Sequence, residues 1–230
     1  MAKKLYFTVL ALIVFTAGAF CGPVLEITDK DFDFGVIPQD AEVSHHFWFK
    51  STGDDTLVIN EIKTGCSCLL MPIEKKVLAP GDSTLVGILW DVGKRMNATG
   101  VFPYIFTNAS PDPYRLILSG RVLQTLQDYI PISFKPFRFN LTIFDKKSIN
   151  EIKFTVKNSS DSDINIKLLS ILPKECELKI PEKVKAKSEQ SGYIKVKPEF
   201  IDKEFKSSIT ILCDDPKETR MTIPILRKIY

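Results

Sequence analysis

Short apolar runs that alternate residue by residue with polar ones, punctuated by turn residues, recur through nearly all of this chain. Val43, His45, Phe47 and Phe49 share one side of such a run, and Ser44, His46, Trp48 and Lys50 the other. That is the period-2 mark of a half-buried strand. Leu25 and Ile27, then Phe32 and Phe34, alternate in the same way until Gly35 and Pro38 end the run. Ser51-Thr52-Gly53-Asp54-Asp55 and Ala79-Pro80-Gly81-Asp82 carry turn chemistry. Further strands are expected over residues 57–62, 83–90, 102–107 and 114–121, the last two separated by a turn at Ser110-Pro111-Asp112-Pro113. No amphipathic helical period appears, so the pattern predicts an all-β fold of stacked sheets.

A looser copy of the pattern follows. Phe49 to Ile59 align without a gap on Val156 to Ile166, and the same offset lays Val77 and Ala79 on Val184 and Ala186. Asp112-Pro113 resembles Asp215-Pro216, each between two strand-like runs. The expectation is two tandem immunoglobulin-like β-sandwich domains, residues 24–123 and 128–230, joined near residues 124–131. The Lys-rich run 183–187 suits the outer edge of a sheet, where charge discourages strand addition. With 44% hydrophobic and 26% charged residues the chain can bury a core and is not disordered. A net charge of +3 is not basic enough to suggest nucleic acid.

The N-terminus reads as an export signal. Lys3 and Lys4 precede an apolar run over residues 5–15, then Thr16-Ala17-Gly18-Ala19. A charged head, a short apolar stretch and a small-residue cleavage site make a signal peptide of residues 1–19. Cys21 is the alternative, an acylated N-terminus that would tether the protein to a membrane, although Phe20 stands where a lipobox wants a small residue. The expected location is the periplasm or cell surface.

Five cysteines remain to be placed. Cys66 and Cys68 are the one constellation able to carry chemistry, since positions i and i+2 of an extended segment point to the same side. With His46 they form a candidate metal set, because soft thiolates and imidazole suit zinc or copper. As a dithiol–disulfide pair they are a redox candidate. Cys176 and Cys213 are a candidate disulfide. His45, on the Phe47 face, reads as a core residue. Trp48, Trp90, Tyr104 and Tyr114 are candidates for an aromatic binding surface. Asp54-Asp55 and Asp214-Asp215 sit in turns, where aspartate is favoured for bonding to backbone N–H groups. No phosphate loop, nucleophile elbow or H-E-x-x-H helix appears, so no enzyme and no cofactor are expected.

Phe32-Asp33-Phe34-Gly35, then His46 through Phe49 into Lys50-Ser51-Thr52-Gly53-Asp54, Gly65-Cys66-Ser67-Cys68, Ala79-Pro80-Gly81-Asp82, Thr107-Asn108 and Leu118-Ser119-Gly120 follow in order. This ordered set resembles the DUF1573 family of bacterial exported proteins, common in Bacteroidetes, over roughly residues 30–122. The family's cysteine motif usually reads Ser-Cys-Gly-Cys-Thr, whereas here it is Gly65-Cys66-Ser67-Cys68-Leu69. The resemblance implies an immunoglobulin-like fold and export. The functional expectation is a non-catalytic structural or binding module of the bacterial cell envelope. Its partner would be a protein or polysaccharide, with no nucleic acid, and with membrane attachment only through Cys21. The alternative is a thiol redox or metal-handling protein centred on Cys66 and Cys68.

Overall fold

The computed structural model describes residues 22–124, 131–144 and 147–230. The expected signal peptide, Cys21 and most of the expected join at 124–131 lie outside them. The described residues are all-β, with one 3-10 turn at Pro198–Phe200. The strands are β1 (Leu25–Ile27), β2 (Asp31–Pro38), β3 (Glu42–Ser51), β4 (Leu57–Lys63), β5 (Leu69–Leu70), β6 (Val77–Leu78), β7 (Ser83–Asp91), β8 (Asn97–Val101), β9 (Tyr104–Thr107), β10 (Ser110–Arg115) and β11 (Ile117–Leu123). They continue with β12 (Ile132–Lys135), β13 (Phe139–Asn140), β14 (Ile143–Phe144), β15 (Lys147–Ser148), β16 (Glu151–Asn158), β17 (Ile164–Leu168), β18 (Cys176–Lys179), β19 (Lys183–Val184), β20 (Glu189–Val196), β21 (Phe205–Cys213) and β22 (Arg220–Arg227).

Two four-stranded sheets have the orders β1-β3-β7-β5 and β10-β9-β4-β6, and a third has the order β12-β16-β20-β18. The largest sheet runs β19-β17-β21-β22-β2-β11-β8, with β13 also paired to β22. The alternation read from sequence decides which face is buried. On β3, Val43, Phe47 and Phe49 point inward and Trp48 and Lys50 outward. One hydrophobic cluster gathers Phe34, Phe47, Phe49, Leu57, Trp90 and Leu118; a second gathers Phe134, Phe154, Ile194, Ile209 and Ile223. The stretch expected as a turn at 110–113 is instead part of β10, an edge strand whose pairing with β9 is interrupted between Ser110 and Tyr114. Proline lacks an N–H to donate, so Pro111 and Pro113 fit an edge where no neighbour needs one. Lys183 lies on β19, the outermost strand of the largest sheet, paired with Asp163 at 3.0 Å.

The largest sheet is continuous from β2 to β22, strands nearly 190 residues apart in the chain. They run parallel, in register at Val36↔Met221. Gly35 makes the approach possible. Opposite β11 the register steps from Asp33↔Ser119 to Val36↔Arg121, so Phe34 and Gly35 together face Gly120 in a β-bulge. Gly35 has φ +64°, and a Cβ there would stand 2.2 Å from the Arg220 carbonyl oxygen. Beside this seam β3 lies across the outer face of β21. The backbone N–H of Ser44 donates to Ser208 Oγ at 2.7 Å, and that of Ser208 to Ser44 Oγ at 2.8 Å. Thr222 Oγ1 donates to the Phe34 carbonyl at 2.6 Å. Small hydroxyl side chains let two backbones come close while meeting each other's polar groups.

Candidate functional site

β4 ends at Lys63, and Gly65, at φ +78°, turns the chain into the cysteine motif. Thr64 Oγ1 donates to the Cys66 carbonyl at 3.1 Å, holding the turn. Cys66 and Cys68 are joined in a disulfide with Cα atoms 5.2 Å apart. Both are half-buried against the first hydrophobic cluster. The Cys68 carbonyl accepts the N–H of Asp91 at the end of β7, at 2.8 Å. Arg95 follows in the next turn. Its Nη1 donates to the carbonyls of Asp91 and Val92 at 3.1 Å each, and its Nη2 reaches Cys68 Sγ at 3.3 Å. None of the ion pairs among the described residues includes Arg95. The guanidinium charge is therefore presented to sulfur and carbonyls.

The candidate metal set of Cys66, Cys68 and His46 is not assembled. The two sulfurs are bonded to each other, which leaves no thiolate to ligate. His46 pairs with Gly87 on β7, whereas Cys68 meets β7 at Asp91, four residues further on. That is roughly 13 Å along an extended strand. Among the described residues no group of three or more potential metal ligands occurs. The Cys176–Cys213 disulfide is likewise not formed, and both thiols are free and buried. Cys176 opens β18 and Cys213 ends β21, strands of two different sheets. Both side chains are packed as small apolar groups in the second hydrophobic cluster. Burial pushes both thiols up to about 12, with Glu175 adding to the effect at Cys176 and Asp215 and Asp214 at Cys213. They are inert at neutral pH.

The paired aspartates are engaged in turns. Asp214 accepts from the backbone and side chain of Asn165, and Asp215 from Thr219. Of the four aromatic candidates, Trp90 is fully buried, Trp48 is 49% exposed and Tyr104 is 39% exposed. Trp48 and Tyr104 stand on different sheets, so they form no common surface. Trp48 lies opposite Leu85, and Leu70, 60% exposed, lies opposite Leu89. Sequence reasoning missed Arg95. It sits in an ordinary-looking turn 27 residues beyond Cys68, and only the return of β7 to the cysteine motif brings the two together.

The histidines separate as the alternation requires. His46 points out of the first cluster; burial holds its pKa below the ordinary value, against the opposing pull of Glu175 and Glu74. His45 points in, stacked on Phe32 with ring centroids 3.6 Å apart, and its Nδ1 is buried without a partner. Burial, then the charge of His46, lowers the His45 pKa to about 4. Between pH 6.5 and 4 the unfolded chain takes up a proton that the folded chain refuses. The neutral-His45 fold therefore keeps its full stability above pH 6.5 and loses it as pH falls towards 4. The loss at pH 4 is on the order of 3 kcal/mol. Urea midpoints measured from pH 7.5 to 4.5 should fall steeply for the wild type. The unfolding free energy they give should fall by about 2 kcal/mol less for His45→Phe, which keeps the ring stack and removes the titrating group. Parallel curves would exclude His45 as the source.

Residues 25–122 match the family described as "Protein of unknown function (DUF1573)". No curated relative matches the chain. A protein of unknown function from Porphyromonas gingivalis W83 is similar in structure at 10% identity and a TM-score of 0.34, covering 88% of this chain and 99% of that one. The ASH/PapD-like domain 7 of human CEP192 is similar at 10% identity and a TM-score of 0.35, covering 55% of this chain and 100% of that one. Likenesses this distant bear on neither the details of the fold nor function.

Proposed function

We propose that this chain, which carries a DUF1573 domain at residues 25–122, is an exported, non-catalytic binding module of the bacterial cell envelope, built of two immunoglobulin-like units. Recurrence of strand order supports the two units: β1-β3-β7-β5 is echoed by β12-β16-β20-β18, and β6-β4-β9-β10 by β19-β17-β21-β22. The partner docks on the outer face of the β1-β3-β7-β5 sheet. The observation behind this assignment is exposed Trp48 opposite half-buried Leu85, with exposed Leu70 opposite half-buried Leu89 four residues further along β7. A rigid sheet holds such side chains in place, and tryptophan at the centre of an apolar patch is the commonest anchor of a protein interface. Aliphatic neighbours favour a protein partner over a polysaccharide, which needs hydrogen-bonding groups around the aromatic ring.

A photo-crosslinking residue placed at position 48 of the full chain, in the producing cell, is expected to give a discrete protein adduct. The same residue at Phe144, 67% exposed and on a different sheet, is expected to give none. Trp48→Ala should then weaken binding of the identified partner by about thirtyfold. Adducts to polysaccharide alone would replace the protein by a glycan, and adducts at position 144 but not 48 would refute the docking face.

A further inference from the structure

We infer that the Cys66–Cys68 disulfide is a thiol-exchange site whose leaving sulfur, Cys68, is set by Arg95, and that it can deliver its disulfide to a thiol-bearing polypeptide. The inference stands apart from the docking face proposed above. It rests on the placement of one guanidinium: Arg95 Nη2 lies 3.3 Å from Cys68 Sγ, while Nη1 is fixed by two carbonyl oxygens. A disulfide sulfur is neutral and a poor acceptor. A thiolate at the same place is a full negative charge, so the contact becomes a charge-assisted hydrogen bond only on reduction. Interactions that strengthen in the reduced form make a disulfide more oxidising, and a cation beside one sulfur lowers that thiol's pKa. Carboxylates would cancel the effect; Arg95 has no ion-pair partner among the described residues.

The asymmetry also decides where attack occurs. The better leaving group is the thiol of lower pKa, which is Cys68, so the incoming thiolate attacks Cys66 Sγ. The Cys66–Cys68 bond breaks, a mixed disulfide forms at Cys66, and the electron pair of the broken bond settles on Cys68 Sγ beside Arg95. A second thiolate of the same polypeptide then attacks its own sulfur in the mixed disulfide. That forms the polypeptide's disulfide and releases Cys66 as a thiolate, which takes up a proton. Two thiols are oxidised, one disulfide is reduced, and one disulfide is delivered per molecule. The second half of the chain offers no comparable site: Cys176 and Cys213 are free, buried and held protonated.

Equilibration of the full chain in glutathione redox buffers, followed by thiol mass-tagging, tests the inference directly. The wild-type disulfide is expected to be reduced in the folded state, with Arg95→Gln about tenfold harder to reduce and Arg95→Lys within threefold of wild type. Tenfold corresponds to about 30 mV for this two-electron couple. Peptide mapping after a short pulse of glutathione should find glutathione on Cys66 and the free thiol on Cys68. In the reduced protein the pH profile of Cys68 alkylation should lie below that of an ordinary thiol and move up in Arg95→Gln. Should that variant fail to fold, the wild-type mapping and alkylation profile still decide the matter. A disulfide that resists reduction until the chain unfolds, glutathione on Cys68, or an unchanged equilibrium in folded Arg95→Gln would each overturn the inference.

Discussion

Gly35→Ala is expected to destabilise the protein by about 3 kcal/mol and to split its unfolding into two transitions. Two effects add. A left-handed conformation is unfavourable for any residue with a Cβ, and at φ +64° alanine would be strained even in open space. The space is also not open: the new Cβ would meet Arg220 backbone atoms at 2.2 and 2.3 Å, so β2 and β22 must part. Gly81→Ala is the matched control, because Gly81 has φ +83° and nothing within 4 Å of its notional Cβ. Gly81→Ala should therefore show only the conformational part, about 1 kcal/mol, and retain a single transition. Urea denaturation followed by intrinsic fluorescence and by far-UV dichroism separates the outcomes. Equal losses in the two variants would mean that the seam contributes nothing to stability.

Arg227→Ala should cost about 4 kcal/mol, concentrated in the second half of the chain. Arg227 is fully buried, near the end of β22, and no ion pair among the described residues includes it. Its guanidinium instead serves as a hub of donors. Nε and Nη2 reach the Ile201 carbonyl, Nη1 reaches those of Leu141 and Ile149, and Nη2 also reaches Asn150 Oδ1 at 3.0 Å. Truncation takes these donors from the carbonyls of Leu141, Ile149 and Ile201 and opens a cavity the size of the side chain. Cys176, whose thiol is buried and inert in the folded state, supplies a local readout. Native-state alkylation of Cys176 should accelerate at least tenfold in Arg227→Ala. It should stay at the wild-type rate in Arg115→Ala, an exposed arginine over the Phe102 ring. Unchanged stability would show that water replaces the arginine without cost.

Legibility differed sharply between local and distant features. Which face of β3 is buried follows from alternation alone, because a strand packed on one side must place like residues two apart. The division of His45 from His46 follows by the same rule. Proline misled at 110–113, where two prolines sit within an edge strand and do not mark a turn. The seam was beyond reach for a different reason. Gly35 announces a special backbone position, but nothing local says that its empty side receives Arg220, 185 residues away. Arg95 was hidden likewise. Its role depends on where β7 deposits the chain after crossing the sheet, and a lone arginine in a turn carries no periodic signature. The cysteine pair was recognisable as chemistry, but its state as a disulfide and its neighbour were not.

The seam also determines how the molecule answers to tension. Strands joined in parallel and loaded from opposite ends must slide lengthwise past one another, here against the Val36–Met221 pairing and the Thr222–Phe34 hydrogen bond, whereas a hairpin pulled open gives way one link at a time. A cut near residue 124 would remove β22 and bare the flank of β2, a raw margin ready to recruit a neighbour's strand. The halves are thus welded along a shared sheet rather than strung on a tether.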